Sequence, residues 1–158
     1  MMKKFMILIL LAMIFVACDY ASDSLALKPD IEITWINPLA WPTFAGDSTT
    51  AAMIDEIHFV AENSLDSYLK DYTIEYYIND SLVFGPTPAL AIYGKISGIV
   101  EQGVVDTFML LNVPVPLAPA RDRLSSGETA KAVLRFVAID EYFEKTDTAD
   151  VWFGILMF

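Results

Sequence analysis

The sequence predicts an all-β chain folded as an antiparallel β-sandwich of about seven strands. Three observations lead there. Apolar and polar residues alternate with a period of two in most segments beyond residue 30, as they do in strands with one buried face. Clusters of Pro, Gly, Asn and Asp interrupt the chain at short intervals, as turns do. Helical periodicity after residue 18 is confined to Pro119 to Leu124, at most a turn or two.

Each element follows from its own pattern. Ile31, Ile33 and Trp35 alternate with Glu32 and Thr34, which predicts the first strand. Pro38, Pro42 and Gly46 make a loop of Asn37 to Ser48. Ile57, Phe59 and Ala61 alternate with Glu56, His58 and Glu62, and Asn63 to Ser67 is a turn. Tyr72, Ile74, Tyr76 and Ile78 form a strand that Asn79-Asp80 turns into Leu82-Val83-Phe84, because Asn and Asp tolerate positive φ. Pro86 and Pro88 end that hairpin, and a weaker strand interrupted by Gly94 covers Ala91 to Ile96. Val104 to Val113 is a β-branched run that Pro114, Pro116 and Pro119 stop. Ala130, Ala132, Leu134, Phe136 and Ala138 alternate with Lys131, Val133, Arg135 and Val137, and a last strand covers about Ala149 to Phe158. The alternation puts Ile33, Trp35, Phe59, Ile74, Tyr76, Leu134, Phe136 and Phe153 in the core. In the last strand Val151, Phe153, Ile155 and Met157 face inward, with Trp152 and Leu156 on the opposite face. A transmembrane barrel is the rival for this strand, but it needs about eight strands of 9–11 residues, and the strands here are too short and too often interrupted by proline.

Val133 to Asp140, a turn through Glu141 to Thr146, and Asp147 to Ile155 resemble the last hairpin of bacterial immunoglobulin-like and fibronectin type III-like modules. That resemblance implies an immunoglobulin-like sandwich and a habit of binding or spacing, and it implies no catalytic residue.

The first residues carry a different message. Lys3 and Lys4 precede a short apolar run from Phe5 to Ala17, and a membrane-spanning helix needs about 20 residues. A positive start, a short apolar stretch and a small residue at its end are the parts of a secretory signal peptide. Phe15-Val16-Ala17-Cys18 resembles the lipobox of bacterial lipoproteins, although Phe15 stands where Leu is usual. The resemblance implies cleavage before Cys18 and diacylglycerol on its thiol, so the covalent lipid is the one prosthetic group expected. Cys18 is the single cysteine, so no intramolecular disulfide is available, and a thioether to lipid protects a thiol exported to an oxidising compartment. The organisation expected is therefore a signal peptide over 1–17, a lipidated cysteine and polar tether over 18–30, and a β-sandwich domain over 31–158.

Charge narrows the partners. The formal net charge is −11, and loss of Lys3 and Lys4 with the signal takes it to −13. Phosphate backbones attract basic surfaces, so nucleic acid is not an expected partner, nor is anionic lipid bound by charge alone. His58 is the single histidine and is predicted to be an exposed strand residue. Without a second histidine or cysteine, sites built from those ligands are not expected, nor is a nucleophilic triad. Adjacent acids such as Asp55-Glu56 point to opposite faces of a strand, which weakens paired-carboxylate hydrolysis.

Two candidate sites remain. Asp140, Glu141, Asp147 and Asp150, with Glu144, gather around one turn and could supply oxygen ligands to calcium; a solvated acidic turn is the plainer alternative. Trp35, Trp41 and Phe44 surround a proline-rich loop and could form a patch for sugar or peptide, unless that loop folds over the end of the sandwich and buries Trp41. The function expected is a non-enzymatic lipoprotein, held on a membrane of the bacterial cell envelope by its lipid, that binds or positions a protein or glycan partner. The alternative is a small-ligand or calcium-binding envelope module.

Overall fold

The period-two alternation resolves into eleven strands among the residues described by the computed structural model, which are 28–63, 65–98, 100, 101, 104–142 and 144–158. The expected signal segment, Cys18 and most of the expected tether lie outside them. In chain order the strands are β1 (Ile31–Asn37), β2 (Ala40–Thr43), β3 (Ala51–Ala61), β4 (Ser67–Ile78), β5 (Ser81–Phe84), β6 (Leu90–Ile96), β7 (Val100–Glu101), β8 (Val104–Val105), β9 (Phe108–Pro116), β10 (Thr129–Asp140) and β11 (Thr146–Met157). A single short helix, α1 (Ala118–Arg121), is present among the described residues and overlaps the stretch from Pro119 to Leu124 where helical periodicity is expected.

The strands make two facing sheets. One has the order β1-β3-β9; the other runs β2-β11-β10-β4-β5, with β6 also paired to β4, and β7 and β8 form a small separate ladder. Every pairing is antiparallel except that of β2 with β11. The two sheets pack face to face around the core as an all-β sandwich. The strand number exceeds the seven expected because further strands arise in segments read as loop or as one continuous strand.

Two of those segments show why. The expected loop from Asn37 to Ser48 contains β2, which adds to the sheet edge in parallel with β11. The expected strand from Val104 to Val113 divides into β8 and β9, and β9 runs through Pro114 and Pro116 rather than stopping before them. Both β2 and β9 are edge strands, where one side of the backbone has no ladder partner and a missing N–H is tolerated. The Asn79-Asp80 turn is as expected: φ is 49° and 58°, and Ile78 pairs directly with Ser81. Gly94 within β6 is a matter of space, since a Cβ there would overlap the ring of Phe108.

The core confirms most of the predicted inward faces. Phe59, Ile74, Tyr76, Leu134, Phe136 and Phe153 are fully buried, and Ile155 and Met157 join them. Ile33 is half-buried. Trp35 is the correction: it is 55% exposed. The register between β1 and β3 shifts between Ile33 and Trp35, so the alternation slips there and Ile36 turns toward the core instead. Across the sandwich, the Phe59 ring meets Phe136 edge-on at 5.1 Å, and Tyr72 stacks on Phe136 at 5.2 Å. Tyr76 lies in the core with its hydroxyl donating to the Pro116 carbonyl of the opposite sheet at 2.7 Å, and Tyr72 does the same to Pro114 at 3.4 Å. Burying these side chains contributes roughly 1.5–3 kcal/mol each, and the hydroxyls keep their polar ends satisfied.

The end of the sandwich where β2 and β9 finish is closed by α1. Leu117, just before the helix, is fully buried, and the Arg121 guanidinium donates to the carbonyls of Asp47 and Thr49 at 2.8 and 2.7 Å. Charge-assisted bonds of this kind contribute about 1.5–3 kcal/mol and pin the segment between β2 and β3.

Candidate functional site

The predicted aromatic patch is not assembled. Trp35 lies on the outer face of the three-stranded sheet, its ring 6.4 Å from that of His58. Trp41 belongs to β2 in the other sheet and is half-buried against the core. Phe44 follows β2, stays exposed, and meets the ring of Phe158 at 6.0 Å. His58 is half-buried rather than exposed, with Nε2 3.2 Å from Glu56 Oε2.

The acidic residues near the last turn have structural partners. Asp140 Oδ1 accepts the backbone N–H of Glu144 at 2.8 Å and that of Lys145 at 3.3 Å, which closes the β10–β11 turn. Asp147 Oδ2 accepts the Ile31 N–H at 2.9 Å and so ties the start of β1 to β11. Asp150 is held by Arg135 through two parallel bonds of 2.9 and 2.8 Å. Glu141 is exposed in the turn. Among the described residues no group of three or more His, Cys, Asp or Glu side chains is placed to hold a metal ion.

A groove lies instead on the outer face of the six-stranded sheet. Strand registers build it row by row. Ala40, Gly154, Lys131 and Tyr77 are lateral neighbours across β2, β11, β10 and β4. Trp152, Val133 and Glu75 form the adjoining row toward one side, and Pro42, Leu156 and Thr129 the row toward the other. The groove has a volume of about 610 Å³, and the Asn79-Asp80 turn supplies one of its walls. Trp152 is half-exposed beside it, as the outward side of an alternating strand requires.

Gly154 makes the floor low. A Cβ there would stand 3.1 Å from the Cβ of Ala40, a distance at which the neighbour must give way. The Gly154 N–H donates to the Leu39 carbonyl at 2.9 Å, so the same residue draws the start of β2 against β11. Beyond Trp152 the face turns polar. Tyr77 donates to Glu75 Oε2 at 2.6 Å, and this bond, reinforced by the nearby Glu75 charge, holds the phenol above its usual pKa. Lys131 is in the groove and forms no ion pair among the described residues. The assembly is therefore a flat aromatic, a low glycine floor, and a rim holding both donors and acceptors, which are the parts of a recognition surface.

The alternation already placed Trp152 and Leu156 on this face, but no signal in the chain joins them to Lys131, Tyr77 or Asp80. No family model, curated protein or solved structure matches this chain.

Proposed function

We propose that this protein is a lipid-anchored lipoprotein of the bacterial cell envelope whose non-catalytic sandwich binds or positions a protein or glycan partner, with the outer face of the six-stranded sheet as its binding surface. The observation that carries this is the open groove beside Trp152, an indole left half-exposed on the outer face of β11. Large aromatics of this kind supply much of the contact energy at recognition surfaces.

The position of the groove suits a tethered binder. The chain enters the sandwich at Ile31, which Asp147 holds at the β10–β11 turn end. From Asp147 to Gly154 along β11 is roughly 23 Å at ~3.3 Å per residue, so the groove lies toward the end opposite the tether. Fully extended, the segment from Cys18 to Asp30 reaches at most about 45 Å. A sandwich held that way offers its groove away from the lipid.

Two measurements test the proposal. Mass spectrometry of the mature N-terminus should find lipid on Cys18, and Cys18→Ser should release the protein from membranes. A photo-crosslinking residue at position 152 should capture a partner in intact cells, while one at Asp122 should not. An unmodified Cys18, or equal capture from both positions, argues against the proposal.

A further inference from the structure

We propose that the groove takes a neutral, extended oligosaccharide, with a sugar ring stacked on Trp152 and its hydroxyls bonded by Asn79, Asp80, Thr129 and Lys131. This rests on the face being the binding surface and adds the chemical class of the ligand.

The rim groups select among ligands. The Lys131 ammonium only donates hydrogen bonds, the Asp80 carboxylate only accepts them, and Asn79 and Thr129 do both. A phosphate or carboxylate ligand would meet Asp80, and a cationic ligand would meet Lys131. An apolar peptide segment would strip water from all four groups without replacing its hydrogen bonds, which opposes its binding. A sugar's hydroxyls donate and accept together, so a single residue of the chain can answer both an ammonium and a carboxylate. The apolar face of the same ring matches the half-exposed indole of Trp152.

The shape points to a chain rather than a single small ring. The row Ala40–Gly154–Lys131–Tyr77 crosses four strands, which is roughly 14 Å at ~4.8 Å between neighbours. The row runs out over β2, the edge strand, where nothing further in the sheet blocks a longer ligand. Gly154 keeps the middle of that path free of a side chain.

The test uses the full-length chain in a detergent without a sugar headgroup. Calorimetric titrations with cellohexaose, chitohexaose, xylohexaose and mannohexaose should show binding by at least one of them. Trp152→Ala should weaken that binding at least tenfold. Gly154→Val, which fills the floor, should abolish it, and Lys131→Ala should weaken it severalfold. Met109→Ala, on the outer face of the other sheet, should leave it unchanged. Circular dichroism checks that each variant folds; if Trp152→Ala does not, Lys131→Ala and Gly154→Val still decide. Binding that survives all three groove substitutions overturns the assignment, as does the absence of binding by all four sugars. In that second case, a protein captured by the crosslinker at position 152 would leave the binding face standing and remove only the sugar; no capture would remove both.

Discussion

Phe136→Ala tests whether the two sheets are clasped as described. Phe136 sits in the middle of β10, opposite Tyr72 of β4 and Ala149 of β11, and is fully buried. Its ring touches the other sheet through Phe59, edge-on at 5.1 Å, and its own sheet through Tyr72, stacked at 5.2 Å. Truncating a buried Phe removes its transfer free energy and leaves a cavity, together about 3–5 kcal/mol. Two aromatic pairs are lost with the ring, each worth about 0.5–1.5 kcal/mol beyond area burial, which places this site in the upper part of that range. For a domain with a total stability of about 5–15 kcal/mol, a loss near 4 kcal/mol is a large fraction. In urea, with a slope of about 2 kcal/mol/M, the midpoint should fall by about 2 M at unchanged slope. Phe59→Leu should cost less when made in the Phe136→Ala background, because the edge-on contact is already gone. A midpoint shift worth less than about 1 kcal/mol, or strictly additive losses, would refute the packing of these rings between the sheets.

Three further outcomes are expected. Tyr76→Phe removes the hydroxyl that reaches the Pro116 carbonyl and should cost about 1–1.5 kcal/mol in thermal unfolding; burial holds this phenol far above its usual pKa, so alkaline titration should ionise it only as the protein unfolds. Gly94→Ala brings a Cβ into the Phe108 ring and should destabilise by about 1–3 kcal/mol in denaturant, whereas Gly46→Ala meets no neighbour and is strained only through its φ of 81°. Glu62 shares a hydrogen bond with Glu32 and lies near the charges of Glu32 and Asp30, so its folded pKa is raised. A raised carboxyl pKa favours the fold at low pH and weakens it as pH rises through the folded value, so Glu62→Gln should raise the melting temperature at pH 7. That gain should vanish when the pH falls below about 4, where Glu62 is protonated in both states; a gain that persists there contradicts the assigned cause.

What was legible in the sequence was local. Alternation in β3, β4, β10 and β11 assigned Phe59, Ile74, Tyr76, Phe136 and Phe153 inward, because a side chain's face in a regular strand depends only on its own neighbours. Asn79-Asp80 announced its hairpin for the same reason: the two residues that must adopt positive φ are the ones that tolerate it. The places where the prediction departed from the structure are those where a second strand decides. Trp35 faces outward because the pairing of β1 with β3 slips by a residue, and nothing in Ile31 to Asn37 encodes that slip. Pro42, Pro114 and Pro116 read as strand breakers, yet they lie in β2 and β9, whose position at a sheet edge makes the missing N–H harmless. The carboxylates near the last turn looked like free ligands until Arg135, the Ile31 N–H and the turn backbone claimed three of them. The groove depends most on the tertiary structure. Ala40, Tyr77, Lys131 and Gly154 come from four separated parts of the chain and become one row only through the registers of three strand pairings. Periodicity reports which face a residue takes, but which residues become neighbours on that face is a property of pairs, and only the folded sheet specifies it.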